Sequence, residues 1–223
     1  MKRILTLLVC LYIASPVAQA DLSANVGVTS NYVFRGLTQT NNDPAVQGGI
    51  DYTHQSGFYA GAWTSQVDMP GGGRNGQDVT GLEIDGYVGL SSELQGGGRF
   101  DLGAIQYSYT DADKGDTREL YFGLGYGPVS GTFYWGDDTN LSSSRYQYLD
   151  LKYKLDLGDE VGLTLHYGHT NSKAANGDYN DISASLKKTI LGADVSVTAT
   201  AEDKTGSRRE KLFITITKTF DLQ

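Results

Sequence analysis

Cysteine, proline and long apolar runs are all scarce in this chain of 223 residues. The one cysteine, Cys10, lies in an apolar stretch near the N-terminus, so disulfides, thiol catalysis and cysteine metal sites are excluded from the rest of the chain. Only 4 prolines occur, which suits paired strands because proline cannot donate to a β-ladder. After residue 20 no apolar run approaches the ~20 residues of a spanning helix, which excludes a helical membrane protein.

Positive charge is scarce as well. The chain has 18 Lys and Arg against 26 Asp and Glu, and two of the basic residues lie at positions 2 and 3, which leaves a net charge of −10 beyond residue 20. Nucleic acids bind positively charged surfaces, because their backbone phosphates are negative. We therefore expect no nucleic-acid partner.

The N-terminus has the features of an export signal. Two basic residues precede an almost wholly apolar stretch over residues 4–13, and Ala18-Gln19-Ala20 is a typical cleavage sequence. The stretch is roughly ten residues long, which is too short for a membrane span. We predict a Sec signal peptide over residues 1–20, export through the periplasm, and one domain over residues 21–223.

What the sequence has in abundance is glycine and tyrosine, with 29 and 15 residues, and short segments in which apolar and polar residues alternate. Such alternation is typical of strands with one apolar face. The predicted strands are 22–35, 44–55, 57–67, 80–92, 99–110, 117–127, 129–137, 146–157, 161–170, 179–189, 194–203 and 210–220. Tight turns and long loops alternate between them, as in a sheet that crosses a membrane up and down. The sequence predicts an all-β fold, a transmembrane antiparallel up-and-down β-barrel of about twelve strands in a Gram-negative outer membrane.

The polar strand faces are predicted to line the lumen. In segment 146–157, leucines alternate with Asp150, Lys152 and Lys154, and a lysine facing lipid at mid-bilayer costs about 2 to 4 kcal/mol. The charged face is therefore expected to point inward. Segment 99–110 has apolar residues on both faces, which a bulge or an aromatic plug would explain. The predicted pore-lining residues are Asp51, Glu83, Asp85, Glu119, Asp150, Lys152, Lys154, His166, Lys187 and Asp194.

Pairing across the tight turn after residue 157 predicts that Lys152 lies opposite His166, with Asp150 nearby. These groups form either a constriction that selects solutes by charge or an ion-pair network that fills and stabilises a narrow barrel. Arg35 is expected closer to the outer rim, where it would position the first long loop.

The first hairpins have a distinctive sequence. Residues 30–40 are Ser-Asn-Tyr-Val-Phe-Arg-Gly-Leu-Thr-Gln-Thr, residues 44–52 are Pro-Ala-Val-Gln-Gly-Gly-Ile-Asp-Tyr, and residues 56–65 are Ser-Gly-Phe-Tyr-Ala-Gly-Ala-Trp-Thr-Ser. Over residues 24–67 the chain resembles the TorF family of proposed porins, also called the Gcw_chp family, and the rest is similar in length and strand rhythm. The resemblance implies a proteobacterial outer-membrane barrel of porin function, without assigned substrates or catalytic residues.

Two functions fit these features best. The leading hypothesis is a porin-like channel for passive diffusion of small hydrophilic solutes, and the alternative is a closed outer-membrane barrel with a structural or surface-interaction role. A third possibility, a soluble periplasmic sandwich, requires polar outer faces. The expected partners are outer-membrane lipids, small hydrophilic solutes and the barrel assembly machinery, for which the outward-facing Phe220 is the candidate signal.

Catalytic, cofactor and metal sites are not expected. A membrane-embedded hydrolase needs a serine beside a histidine on adjoining strands; His54 lies near a strand end, His166 points inward, and His169 has no evident serine beside it. The acidic segment 111–116 differs from a calcium loop, because its glycine is misplaced and Phe122 stands where a bidentate glutamate belongs. We expect no enzyme activity, no cofactor and no bound metal.

Overall fold

The computed structural model describes residues 20–222 with gaps at 73–75, 112–115, 139–143, 173–176, 205 and 207–208. The strands in this part of the chain are β1 (Ala20–Thr29), β2 (Val33–Phe34), β3 (Leu37–Thr38), β4 (Ala45–His54), β5 (Phe58–Met69), β6 (Val79–Glu93), β7 (Gly98–Tyr109), β8 (Thr117–Tyr126), β9 (Val129–Asp138), β10 (Ser144–Asp156), β11 (Val161–Ser172), β12 (Tyr179–Ile190), β13 (Ala193–Glu202) and β14 (Arg209–Asp221). The predicted signal peptide lies outside the described residues, apart from Ala20 at the start of β1. No helix in the described ranges is long and apolar enough to cross a membrane.

Twelve of these strands close into one antiparallel barrel. From β4 to β14 each strand pairs with the next along the chain, and β1 closes the ring by pairing with both β4 and β14. Closure leaves no free sheet edge, so the backbone groups of the wall are hydrogen-bonded within the sheet, as a hydrocarbon surrounding requires. The predicted all-β, antiparallel up-and-down barrel of about twelve strands is confirmed.

Connections of two lengths give the barrel two different ends. The tight turns are residues 55–57, 94–97, 127–128, 157–160 and 191–192, and the long connections are 30–44, 70–78, 110–116, 139–143, 173–178 and 203–208. We call the two ends the tight-turn end and the long-loop end. At one tight turn, Leu191 and Gly192 both have positive φ, 52° and 72°. This conformation matches the right-handed twist of the two strands that it joins.

Side-chain alternation sorts apolar groups outward and polar groups inward. In β10, Leu151 and Tyr153 are exposed on the outer surface, whereas Tyr148 and Asp150 are buried in the lumen. The strand with two apolar faces, β7, pairs with β6 and β8 in an unbroken register, so no bulge is present in it. Its Tyr107 points inward and donates a hydrogen bond to Glu119. The strand therefore has a second apolar face because it places an aromatic side chain in the lumen.

The first predicted strand is wrong in length. It was expected over 22–35, but β1 ends at Thr29, and residues 33–38 form a separate hairpin of β2 and β3. The wall is interrupted here because the Thr29 hydroxyl donates to the carbonyl of Asn31, and the Asn31 side chain bonds to groups within the loop. The other eleven barrel strands begin and end within two residues of their predicted bounds.

Candidate functional site

A hairpin inside the barrel is the central feature of the lumen. We call β2, β3 and the turn between them, residues 33–38, the lumen hairpin. Its base is fixed by the buried Asn31, whose amide oxygen accepts hydrogen bonds from the hydroxyls of Thr38 (2.7 Å) and Thr40 (3.3 Å). The backbone nitrogen of Tyr32 donates to Thr40 Oγ1 at 3.1 Å. These short-range bonds direct the chain away from the wall and into the lumen.

The tip of the lumen hairpin is a two-residue turn of Arg35 and Gly36. Both residues have positive φ, 48° and 78°, which is the geometry of the tight hairpin turns that favour glycine. A Cβ atom on Gly36 would lie 2.8 Å from Asp181 Cβ and 2.9 Å from Glu202 Cβ, on β12 and β13. Glycine is therefore required both by the backbone conformation and by the close approach to the barrel wall.

Arg35 forms a two-point ion pair with Glu119 of β8. Its two terminal nitrogens, Nη1 and Nη2, lie 2.7 and 2.9 Å from the carboxylate oxygens Oε1 and Oε2. The same carboxylate accepts hydrogen bonds from the hydroxyls of Tyr146 (2.7 Å) and Tyr107 (2.9 Å). Glu119 is only 1 % exposed. A buried charge with all of its oxygens satisfied in this way is fixed in position.

Aromatic rings surround the guanidinium group of Arg35. Its Cζ lies 4.1 Å from the ring centre of Tyr148, 4.6 Å from Phe34, 5.0 Å from Tyr134 and 5.9 Å from Tyr146. Cations are attracted to the faces of such rings, more strongly where water is excluded. One carboxylate and several ring faces thus form a cation-binding cage, and the chain's own Arg35 occupies it.

The opposite side of the lumen hairpin rests on the last strands of the barrel. Lys211 Nζ on β14 donates to the carbonyl of Gly36 at 2.8 Å and lies 3.7 Å from Glu202 Oε1. On another side, the ring of Phe34 lies 5.8 Å from that of Tyr107 on β7. A segment that touches both halves of the wall in this way spans the lumen and narrows it.

Carboxylates dominate the wall around the lumen hairpin. Six of them are at most 8 % exposed: Glu83, Asp85, Glu119, Asp150, Asp181 and Glu202. Arg35, Lys152 and Lys211 each lie near one of these groups. Glu83 Oε2 and Asp85 Oδ1 have no hydrogen-bond partner among the described residues. Carboxyl groups therefore outnumber basic side chains in this part of the lumen.

Comparison with known proteins places the sequence in a family. A family model described as "Bacterial protein of unknown function (Gcw_chp)" matches residues 13–220. The chain belongs to the Gcw_chp family. No curated protein matches this Gcw_chp chain in sequence.

Solved structures of outer-membrane channels resemble the Gcw_chp barrel in fold. The COG4313 outer membrane channel from Pseudomonas putida F1 has a TM-score of 0.58 at 11 % identity, covering 94 % of this chain and 97 % of that one. The NanC porin has a TM-score of 0.56 at 10 % identity, with coverage of 91 % and 100 %. A KdgM porin in complex with disordered oligogalacturonate has a TM-score of 0.56 at 6 % identity, with coverage of 91 % and 99 %. At such low identities the likeness concerns the fold.

The ten residues predicted to line the pore of this Gcw_chp barrel lie at two different heights. Near the lumen hairpin are Glu83, Asp85, Glu119, Asp150, Lys152 and His166. The remaining four lie toward the tight-turn end: Asp51, Lys154, Lys187 and Asp194. Among these, Asp51 accepts a hydrogen bond from the Tyr87 hydroxyl, and Lys187 Nζ lies 2.8 Å from Asp194 Oδ2.

The predicted register between β10 and β11 is confirmed. Lys152 lies opposite His166, and Asp150 lies opposite Gly168. Lys152 Nζ donates to Asp150 Oδ2 at 2.6 Å, and His166 lies between two acids, 3.5 Å from Asp150 Oδ1 and 3.4 Å from Asp181 Oδ1. These four side chains, of Asp150, Lys152, His166 and Asp181, therefore form one connected network of titratable groups.

Two cavities follow each other along the lumen. A cavity of about 350 Å³ lies against the lumen hairpin and is lined by Asp150, Lys152, His166 and Asp181, among others. We call it the inner cavity. A wider one of about 990 Å³, the vestibule, lies toward the tight-turn end. Lys152 lines both of them, so it stands at the junction between vestibule and inner cavity.

Arg35 was expected closer to the outer rim, and its partner Glu119 is indeed near the long-loop end of β8, but the hairpin that turns Arg35 into the lumen was not predicted. The Arg35 side chain is 9 % exposed and lies inside the barrel, bound to Glu119. Tyr32, Val33 and Phe34 continue the alternating pattern of the first wall strand, so the pattern did not indicate that the chain turns into the lumen here. The Arg35-Gly36 pair was the available signal, because glycine after a polar residue often marks a tight hairpin turn.

A serine and a histidine do meet at one tight turn. His54 Nδ1 lies 2.7 Å from Ser56 Oγ and accepts from the Ser56 backbone nitrogen at 3.1 Å. Both contacts span two residues and help to shape the turn between β4 and β5. Among the described contacts, no carboxylate orients the His54 ring, as a nucleophile and base pair would require.

Proposed function

We propose that this Gcw_chp protein is an outer-membrane channel through which small hydrophilic solutes diffuse passively, and that it is not an enzyme. The observation that supports it is a closed barrel with a polar lumen narrowed by the lumen hairpin. A twelve-stranded barrel is intermediate in width between filled small barrels and wide porins. With a hairpin inside, the pore admits only small solutes.

The proposal includes an orientation and a route of export. Residues 1–20 are a cleaved signal peptide, and residues 21–223 are inserted into outer-membrane lipids by the barrel assembly machinery. The long-loop end faces outward and the tight-turn end faces the periplasm, as in bacterial barrels of this type. The ten predicted pore-lining residues and Arg35 together form the polar surface along the path.

The excess of lumen carboxylates favours cations and neutral solutes over anions. A water-filled passage with one sign of charge on its walls concentrates counter-ions and repels like charges. Around the lumen hairpin, six buried carboxyl groups face the basic side chains of Arg35, Lys152 and Lys211. We therefore expect the open channel to be cation-selective.

Conductance of the purified protein in planar bilayers tests the proposal. Discrete current steps in potassium chloride are expected, with a reversal potential in a salt gradient that shows preference for potassium over chloride. A preparation that has the heat-dependent gel mobility of a folded barrel but yields no steps would overturn the channel function.

The ion pair of Arg35 and Glu119 favours a second candidate, a closed barrel with a structural or surface-interaction role. Two hydrogen-bonded contacts at 2.7 and 2.9 Å hold the lumen hairpin across the bore. If the hairpin stays docked and leaves no continuous path, a deletion strain takes up small solutes at the wild-type rate. Slower uptake in that strain, restored by the intact gene, argues for the channel.

A further inference from the structure

We propose that the inner cavity is a binding site for a small organic cation with a guanidinium or ammonium head group. The inference rests on the proposed channel function and names the class of solute that the channel binds during passage. It is carried by the chemistry of the inner cavity and by the cage next to it.

The inner cavity has the two kinds of group that recognise organic cations. Asp150 and Asp181 supply carboxylates, and Tyr134 and Tyr148 supply aromatic rings. Arg35 and Lys152 also line the cavity, and each is paired with a carboxylate, Glu119 and Asp150 respectively. A carboxylate binds the N–H donors of the head group, and ring faces attract its charge. The volume of about 350 Å³ suits a small molecule.

One of these carboxylates has an unused oxygen. Asp150 is 8 % exposed, and its Oδ1 has no hydrogen-bond partner among the described residues, although Oδ2 accepts from Lys152. His166 Nε2 lies 3.5 Å from Oδ1. A buried carboxylate oxygen without a donor is unfavourable, and a bound cation with N–H groups would satisfy it.

Arg35 shows that this wall holds a cation of the proposed class. Its guanidinium lies 4.1 Å from the ring centre of Tyr148 and pairs with Glu119. Tyr134 and Tyr148 line the inner cavity as well as this cage. A second cation in the inner cavity would therefore use the same rings together with Asp150 and Asp181 in place of Glu119.

Lys152 competes with a bound cation for the Asp150 carboxylate and thereby promotes release of that cation. It donates to Asp150 Oδ2 at 2.6 Å, yet its side chain is 40 % exposed and borders the vestibule. A cation that reaches the inner cavity displaces the Lys152 ammonium from the carboxylate. Such competition keeps the affinity modest, which release from a channel requires.

Isothermal titration calorimetry of the full folded protein in detergent tests the site. The probes are methylguanidinium and ethylammonium chloride, with sodium propionate as an anion of similar size. Saturable binding is expected for the two cations and not for propionate. Asp150→Asn should weaken cation binding by about tenfold, as expected for loss of one charge-assisted contact.

The matched control is Asp159→Asn, the same change in an exposed tight turn. Asp159 has a φ of 51°, which asparagine adopts readily, and it lies away from the inner cavity. The Asp159→Asn variant should bind methylguanidinium and ethylammonium as tightly as the wild type does. If Asp150→Asn fails to fold, Asp181→Asn takes its place with the same expected loss.

Three results would overturn the site: no cation binding by the folded wild type, propionate binding of equal strength, or unchanged cation affinity in the folded carboxylate variants. Conductance in potassium chloride, measured on the same preparation, separates this inference from the channel function. Current steps without cation binding overturn the site alone, whereas cation binding without current steps overturns the channel alone.

Discussion

At the scale of single residues, Glu119 anchors the tip of the lumen hairpin through Arg35. It accepts hydrogen bonds from Arg35, Tyr107 and Tyr146, and it is almost completely buried. Removal of one member of a buried pair leaves the other charge unpaired and typically costs about 3 to 5 kcal/mol. Replacement of both members removes that penalty.

We predict that Glu119→Gln lowers the free energy of unfolding by about 3 kcal/mol, because Arg35 then remains buried without its counter-charge. Urea unfolding of the vesicle-inserted barrel, followed by tryptophan fluorescence, measures the change. The combined variant Arg35→Ala with Glu119→Gln should cost less than the sum of the two single variants. Glu93→Gln, near the tight-turn end, is the control; additive effects in the combined variant would contradict the pairing.

Gly36 gives a second prediction at this scale. Alanine at this position is strained by the positive φ, at about 1 to 3 kcal/mol, and its Cβ also collides with the wall. Gly36→Ala should therefore destabilise the barrel more than Gly127→Ala, since Gly127 has a φ of 54° but open space around it. The difference between the two urea midpoints isolates the collision, and equal midpoints would show that the hairpin tip does not touch β12 and β13.

At the scale of elements, the lumen hairpin narrows the bore of the barrel. It crosses the bore between β8 on one side and β12 to β14 on the other. The wall strands pair with one another without it. The hairpin is thus separable from the barrel that encloses it.

We predict that replacement of residues 31–42 by two glycines leaves a folded barrel and raises single-channel conductance by about twofold or more, because the bore loses its main obstruction. Planar bilayer recordings measure the change. The matched control replaces residues 203–208, a long connection between β13 and β14, by two glycines and should leave conductance unchanged. Equal conductance of the hairpin deletion and the wild type would place the narrowest point elsewhere.

The wall was predictable from the sequence, whereas the contacts that dock the lumen hairpin inside it were not. Strand positions, face polarity and the pairing of Lys152 with His166 follow from local alternation and from one tight turn. The position of Arg35 depends on Glu119, which is 84 residues away along the chain. Local pattern contains no information about such a contact, since an alternating segment can join a wall or fold on itself.

At the scale of the whole molecule, the barrel is inverted relative to a soluble protein. Its large apolar side chains, such as Leu165, Leu186 and Ile214, are exposed on the outer surface, and its carboxylates are buried inside. In water such a surface would cause association, whereas hydrocarbon tails accept it. The soluble periplasmic sandwich requires polar outer faces and therefore does not fit this distribution.

A pair of neighbouring substitutions tests the lipid-facing surface. Leu165→Lys should lower the free energy of unfolding from a bilayer by about 2 to 4 kcal/mol, because it places a charge against lipid near the middle of β11. Thr164→Lys, one position away and facing the lumen, should cost far less. Urea titrations in phospholipid vesicles compare the two variants. A similar cost for both would contradict the assignment of faces in this strand.

The early position of the lumen hairpin in the chain also has a consequence for the order of assembly. The hairpin directly follows the first barrel strand, but its partners Glu119 and Lys211 lie 84 and 175 residues further along. Contacts between such distant segments form only after the intervening chain is in place. Closure of the wall pairs β1 with β14, where Thr29 and Thr215 are 186 residues apart. We therefore expect the hairpin to reach Glu119 before β14 closes the wall, so that the ring closes around a hairpin that is already inside.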